Sequence, residues 1–141
     1  MIEKNMLITG ASKGLGKDIA EHFLLQGWHV YGCSRSASTI ENPNYHHFQL
    51  DVSSASQVSE YFYHLRKQIK HLDALINNAG VASMNAFALT PPETFQKLFG
   101  INVEGTYLFC QKALGLLKRA PAANIINMTT VAVPLKLEGE S

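Results

Sequence analysis

The sequence predicts an α/β fold, a doubly wound parallel sheet with helices on both faces. Three observations predict it. A glycine-rich turn, Thr9-Gly10-Ala11-Ser12-Lys13-Gly14-Leu15-Gly16, follows the short apolar run Met6-Leu7-Ile8 and opens a stretch of helical spacing. Runs of strand character then alternate with amphipathic helical stretches along the chain. Two strands joined through a helix must lie parallel, with a right-handed crossover.

In the first unit, Ile19, Ala20, Phe23 and Leu24 share one helix face, and Gly27 suits a left-handed cap after Gln26. Trp28 to Cys33 reads as a buried strand. A strand, a glycine turn and a helix in this order form the Rossmann-like arrangement that binds a dinucleotide. Gly10 permits the sharp turn, Gly14 lets backbone amides approach a pyrophosphate, and Gly16 lets helix and strand pack closely. Ser12, Lys13 and Leu15 complete that turn. The helix N-terminus adds unpaired donors and a partial positive charge.

Ser34-Arg35-Ser36 closes the second strand, where the adenosine ribose is read. An acidic residue there would favour NAD; an arginine pairs with a 2′-phosphate and favours NADP. No Asp or Glu stands between Trp28 and Ile40, and Lys13 offers a second cation, so Arg35 and Lys13 point to NADP.

Glu41-Asn42-Pro43-Asn44 is a turn. Tyr45 to Leu50 is a third strand ending in Asp51-Val52. His46 and His47 are strand neighbours facing opposite sides, so no metal site is expected. The spacing predicts a helix from Ser53 to Lys70, with Ser53 or Ser54 as cap and Val58, Tyr61, Phe62, Leu65 and Ile69 on its core face. Leu72 to Ile76 is a fourth strand, followed by Asn77-Asn78-Ala79-Gly80. The asparagine amides can tie neighbouring strand ends together, and Gly80 admits close approach of a cofactor. After a loop of small residues, Thr90 and Pro91 start one long helix carrying Phe95, Leu98, Phe99, Val103, Leu108, Ala113, Leu116 and Leu117. Apolar residues on more than one face fit packing on the sheet and contact with a second subunit. Ala120-Pro121 breaks the helix, and Asn124 to Met128 is a fifth strand ending in Thr129-Thr130.

T-G-x-x-x-G-x-G near the start, followed by N-N-A-G, resembles the short-chain dehydrogenase/reductase family. Asn102-Val103-Glu104-Gly105 and the Thr130 position are similar to it as well. The resemblance implies that Asp51, with Val52 beside it, meets the adenine and that Asn78, Ala79 and Gly80 border the cofactor. It implies that Asn102 helps to hold a water in a proton relay and that Thr130 stands where a serine usually bonds the substrate carbonyl. A threonine hydroxyl can donate the same bond, while its methyl narrows the pocket. The family's catalytic Tyr, about 13 residues after that serine, and a Lys four later are not found before Ser141; Lys136 has no such partner. The fold is therefore expected to be truncated after the fifth strand. One dinucleotide-binding domain spans 1–141, binding NADP weakly and reducing nothing by itself.

The chain has 141 residues, 46% of them hydrophobic, and a net charge of +1, enough for one domain with a real core. No basic stripe suggests nucleic acid, and no stretch is apolar enough to cross a bilayer. Cys33 and Cys110, far apart in apolar contexts, suit buried thiols in a reducing cytoplasm. The expectation is a cytoplasmic NADP-dependent oxidoreductase acting on a carbonyl or alcohol, like a 3-oxoacyl reductase, and a homodimer or homotetramer when complete. A non-catalytic dinucleotide-binding module or sensor remains the alternative, with a dimerisation unit behind it. Ser83, Met84 and Phe87 are expected to border the substrate pocket without naming a substrate.

Overall fold

A computed structural model describes residues 3–130. Five strands form one sheet: β1 (Asn5–Thr9), β2 (His29–Ser34), β3 (Tyr45–Gln49), β4 (Ala74–Asn77) and β5 (Asn124–Asn127), in the order β3-β2-β1-β4-β5. Every pairing is parallel, with Leu7 of central β1 opposite Tyr31 and Leu75. The chain winds outward through β2 and β3, then crosses back to place β4 on the other side of β1.

Period-two alternation along the strands builds two cores. Met6, Ile8 and Val30 face α1 (Gly14–Leu25), which supplies Ala20 and Leu24. Leu7, Cys33 and Leu75 face α2 (Ala55–Gln68) and α4 (Gly105–Leu117) on the opposite side. Phe62 of α2 and Phe109 of α4 are fully buried and meet edge to face, with ring centroids 5.4 Å apart. Cys33 is buried, which pushes its thiol up, whereas Cys110 is only half-buried.

The element boundaries correct the sequence reading in physical detail. Trp28 stays outside β2 because it packs edge-on against Phe23 of α1, 5.0 Å away. Gly27, at φ 81°, ends α1 as expected. Ser54, not Ser53, caps α2 by accepting from the Gln57 amide, and α2 ends at Gln68 because Ile69 is extended. β5 is exposed. Thr90 does not cap the next helix; its hydroxyl donates to the Ala86 carbonyl, and Pro91 takes the cap position.

The expected long helix is two helices, α3 (Pro92–Phe99) and α4, joined by a π-helical turn at Gly100–Glu104. Glycines bracket this turn where the chain lies against the segment after β3. A Cβ at Gly105 would stand 2.8 Å from the Val52 side chain, and one at Gly100 3.4 Å from Ser53. α3 buries no residue, so Phe95 and Phe99 stack on each other at the surface instead of entering the core. Lys136 lies outside the described residues, as does the remainder of the predicted domain to Ser141.

Phe109→Ala should cost about 3–5 kcal/mol, since deleting a buried ring between two helices leaves a cavity. Denaturant unfolding checks this: the midpoint falls while the slope is unchanged.

Candidate functional site

The carboxyl ends of the strands open on a crevice of about 400 Å³ where the winding reverses between β1 and β4. Every residue that the sequence led us to expect at a cofactor lines it. One wall is the turn into α1, with Gly10, Ser12, Lys13, Gly14, Leu15 and Gly16. Arg35 follows β2, Asp51 and Val52 follow β3, and Asn78, Ala79 and Gly80 follow β4. Ser34, Ser36, Leu50, Val81 and Ile101 complete the lining and were missed, because they carry no motif and enter through the strand ends and the π turn.

The turn is held from both sides. The amides of Gly10 and Ala11 donate to the Cys33 carbonyl at the end of β2, at 2.8 and 3.2 Å. Gly10 and Gly14 adopt φ of 70° and 56°, the left-handed region that side chains disfavour. Among the described residues nothing lies near a Cβ at Gly14, so its requirement is conformational and its open side belongs to the crevice. A Cβ at Gly16 would overlap the Gly10 carbonyl oxygen and stand 2.5 Å from the Asn78 side chain. Gly16 thus admits the turn and Asn78 as much as the strand.

The start of α1 has no side-chain cap and no acidic residue in its first turn, and Lys13 occupies the cap position. α2, by contrast, has its Ser54 cap. The orphan donors of α1 are therefore directed at whatever enters the crevice.

The asparagines tie strand ends as expected, with Thr9 as the unforeseen hub. Asn78 donates from its side chain to the carbonyls of Thr9 and Gly10, at 3.1 and 3.2 Å. The Thr9 hydroxyl accepts from the amides of Asn78 and Ala79, at 3.0 and 2.9 Å. Asn77 donates to Asn127 Oδ1 at 2.8 Å, joining β4 to β5. Asn102 does not line the crevice. Its Oδ1 accepts from the Val81 amide and its Nδ2 donates to the Val81 carbonyl, at 2.9 and 2.8 Å. The Asn102 side-chain amide thereby holds the wall that continues from Gly80.

Asp51 Oδ1 accepts from the Ser53 hydroxyl and amide, at 2.7 and 2.9 Å. The Ser53 hydroxyl, its amide, and the nearby Arg35 and Lys97 cations hold the carboxyl below its ordinary range against a burial penalty. Thr130, after β5, is exposed and outside the crevice lining. Met84 and Phe87 are exposed and do not line the crevice either. Among the described residues, no group of His, Cys, Asp and Glu could hold a metal, and no helix is long and apolar enough to cross a membrane.

The sheet order and the crevice at its switch point define a Rossmann-like α/β protein. The chain belongs to the short chain dehydrogenase family, whose family model matches residues 4–140. It is 33% identical over 129 residues to a probable short-chain type dehydrogenase/reductase, VdlC, of Helicobacter pylori, covering 89% of this chain and 48% of that protein. The structure of ElxO with NADP bound superposes with a TM-score of 0.87 at 30% identity, covering 98% of this chain and 60% of that one. A Leptospira borgpetersenii short chain dehydrogenase with bound NAD+ superposes with a TM-score of 0.85 at 26% identity, covering 92% and 52%. The chain spans about half the length of the curated relatives it matches.

The two glycines should respond differently to alanine. Gly14→Ala should cost roughly 1–2 kcal/mol for its left-handed backbone, and Gly16→Ala about 3 kcal/mol for overlap with backbone that cannot give; thermal unfolding compares them. Asp51 has a lowered folded pKa, so its carboxylate stabilises the fold above its unfolded value of ~3.9 and loses that contribution as pH falls through the folded value. Asp51→Asn should therefore lower the melting temperature at neutral pH, and the gap to wild type should close in acid.

Proposed function

We propose that this chain is the nucleotide-binding part of an oxidoreductase that moves hydride between NADP(H) and a small carbonyl or alcohol substrate, of the 3-oxoacyl reductase kind. The uncapped start of α1, opening on a crevice rimmed by Lys13 and Arg35, carries this reading. Uncapped amides and the helix dipole suit a pyrophosphate, and the positive φ of Gly14 keeps the approach open. The two cations, with no acidic residue from 29 to 40, favour a nucleotide with a phosphate on its ribose. Bound NADP supplies or accepts the hydride at its nicotinamide ring.

In this reading each residue has a part of its own. The turn from Gly10 to Gly16 binds the pyrophosphate, and Arg35 and Lys13 pair with the 2′-phosphate. Asp51, with Val52 beside it, accepts from the adenine amino group. Asn78, Ala79 and Gly80 border the nucleotide, and Asn102 fixes the wall beyond them. The Thr130 hydroxyl donates to the substrate carbonyl oxygen, with its methyl limiting substrate size. The full-length protein works in the cytoplasm as a homodimer or homotetramer. The exposed stripe of Phe95, Phe99, Val103 and Tyr107 supports self-association.

Calorimetric titration with NADPH and NADH tests the reading. The wild type should prefer NADPH, and Arg35→Ser should weaken NADPH by about 10–100-fold while leaving NADH unchanged. Tighter binding of NADH by the wild type overturns the cofactor assignment. Binding of NADPH without turnover is expected of this chain in either reading; a reading frame that continues into Tyr-x-x-x-Lys supports the enzyme, and one that does not supports a nucleotide-binding module or sensor.

A further inference from the structure

The carbonyls that follow one another at the end of β2 are each held from β3. The Leu50 amide donates to the Ser34 carbonyl at 2.9 Å, the last backbone rung between these strands. Beyond it, side chains continue the pairing. Gln49 Nε2 donates to the Arg35 carbonyl at 3.2 Å, and His47 Nε2 lies 2.9 Å from the Ser36 carbonyl. Tyr45, His47 and Gln49 are alternate residues of one strand, so their side chains stand on the same face.

The histidine is itself oriented. A carbonyl oxygen only accepts, so the Nε2 facing Ser36 carries the proton. In the neutral ring Nδ1 then accepts, and the Tyr45 hydroxyl stands 2.8 Å from it as donor. Tyr45 is buried and its ring edge and hydroxyl lie against Gly32, where a Cβ would overlap the hydroxyl. The Ser34 hydroxyl donates to the same Ser36 carbonyl at 2.7 Å and lies 3.1 Å from His47 Nε2. A buried tyrosine thus sets a histidine, and the histidine sets the backbone on one side of Arg35.

We infer that His47, seconded by Gln49, is a positioning residue for nucleotide selectivity, fixing the Arg35–Ser36 backbone so that the guanidinium meets the ribose 2′-phosphate. This rests on the NADP reading proposed above. A long arginine loses much rotamer freedom when it engages a ligand, and a fixed backbone beneath it reduces what must be ordered on binding. The planar guanidinium also pairs best with a phosphate in a narrow range of orientations. The pyrophosphate sits on a different segment, the turn into α1, whose Gly10 and Ala11 amides donate to the Cys33 carbonyl and whose Gly10 carbonyl accepts from Asn78, while His47 bonds the segment after β2. Loosening His47 therefore weakens recognition of the 2′-phosphate and spares the rest of the nucleotide.

The test is calorimetric titration of the intact protein with NADPH and NADH, and with adenosine 2′,5′-bisphosphate against 5′-AMP. The variants are His47→Leu, His47→Gln, Arg35→Ser and the double variant His47→Leu/Arg35→Ser. Circular dichroism checks that each is folded. His47→Leu should weaken the two 2′-phosphorylated probes by about tenfold and leave NADH and 5′-AMP unchanged. His47→Gln keeps a donor for the Ser36 carbonyl and should recover affinity to within about threefold of wild type. In the Arg35→Ser background, His47→Leu should have no further effect, because the two act on one contact. Equal weakening of all probes, or an effect that persists without Arg35, overturns the inference and leaves the NADP reading standing. Loss of selectivity in Arg35→Ser with none in His47→Leu does the same. If Arg35→Ser leaves selectivity unchanged, the NADP reading and this inference fall together.

Discussion

The crevice depends on one short-range knot between β1 and β4. The Thr9 hydroxyl accepts from two successive amides, and Asn78 returns two donations to the carbonyls of Thr9 and Gly10. These bonds cross about 70 residues of chain and join the segments on either side of the switch point. They sit half-buried at the strand ends, where the backbone ladder has run out and polar groups would otherwise lack partners. The sharp glycine turn keeps its shape because this knot and the Cys33 carbonyl hold it from opposite sides. Gly16 is the corollary, since only a residue without Cβ fits beneath both the Gly10 carbonyl and the Asn78 amide.

The same device recurs around the rim. Where a strand ends, a side chain from the neighbouring strand or helix takes over the hydrogen bonding of the outgoing loop. Asn102 does this for Val81, and His47 and Gln49 do it for the segment after β2, while Ser53 donates to the Asp51 carboxylate within the loop itself. Each leaves backbone amides or a charged side chain turned toward the crevice with its geometry already set. Such preorganisation lowers what binding must order. The π turn belongs to this pattern, because it lies where Asn102 reaches Val81 and where Gly105 and Ile101 approach the floor of the site.

Much of this was legible in the residues. The glycine turn, N-N-A-G, Arg35 and Asp51 are local signals, and all reach one crevice because strand C-termini in a parallel sheet share one edge. The core residues Val58, Tyr61, Phe62 and Leu65 followed from helical period and are buried. The failures were of another kind. Periodicity carried one helix straight through Gly100 and Gly105, because a π turn keeps helical spacing nearly intact while shifting register. Thr90 had the right chemistry for a cap, but the nearby Ala86 carbonyl was the better placed partner; of the two serines offered for α2, Ser54 caps it and Ser53 bonds the Asp51 carboxylate.

The sequence by itself determined the parallel sheet, the place of the glycine turn and the charge of its rim. Those follow from backbone sterics, side-chain period and residue type, which act over a few neighbours. Tertiary structure alone decided that Thr9 is a hub, that Asn102 spends its amide on Val81, and that His47 stands under Ser36. Each of those bonds joins residues eleven or more apart, so its partner is chosen by how the strands stack and where the helices come to rest, which no local pattern records.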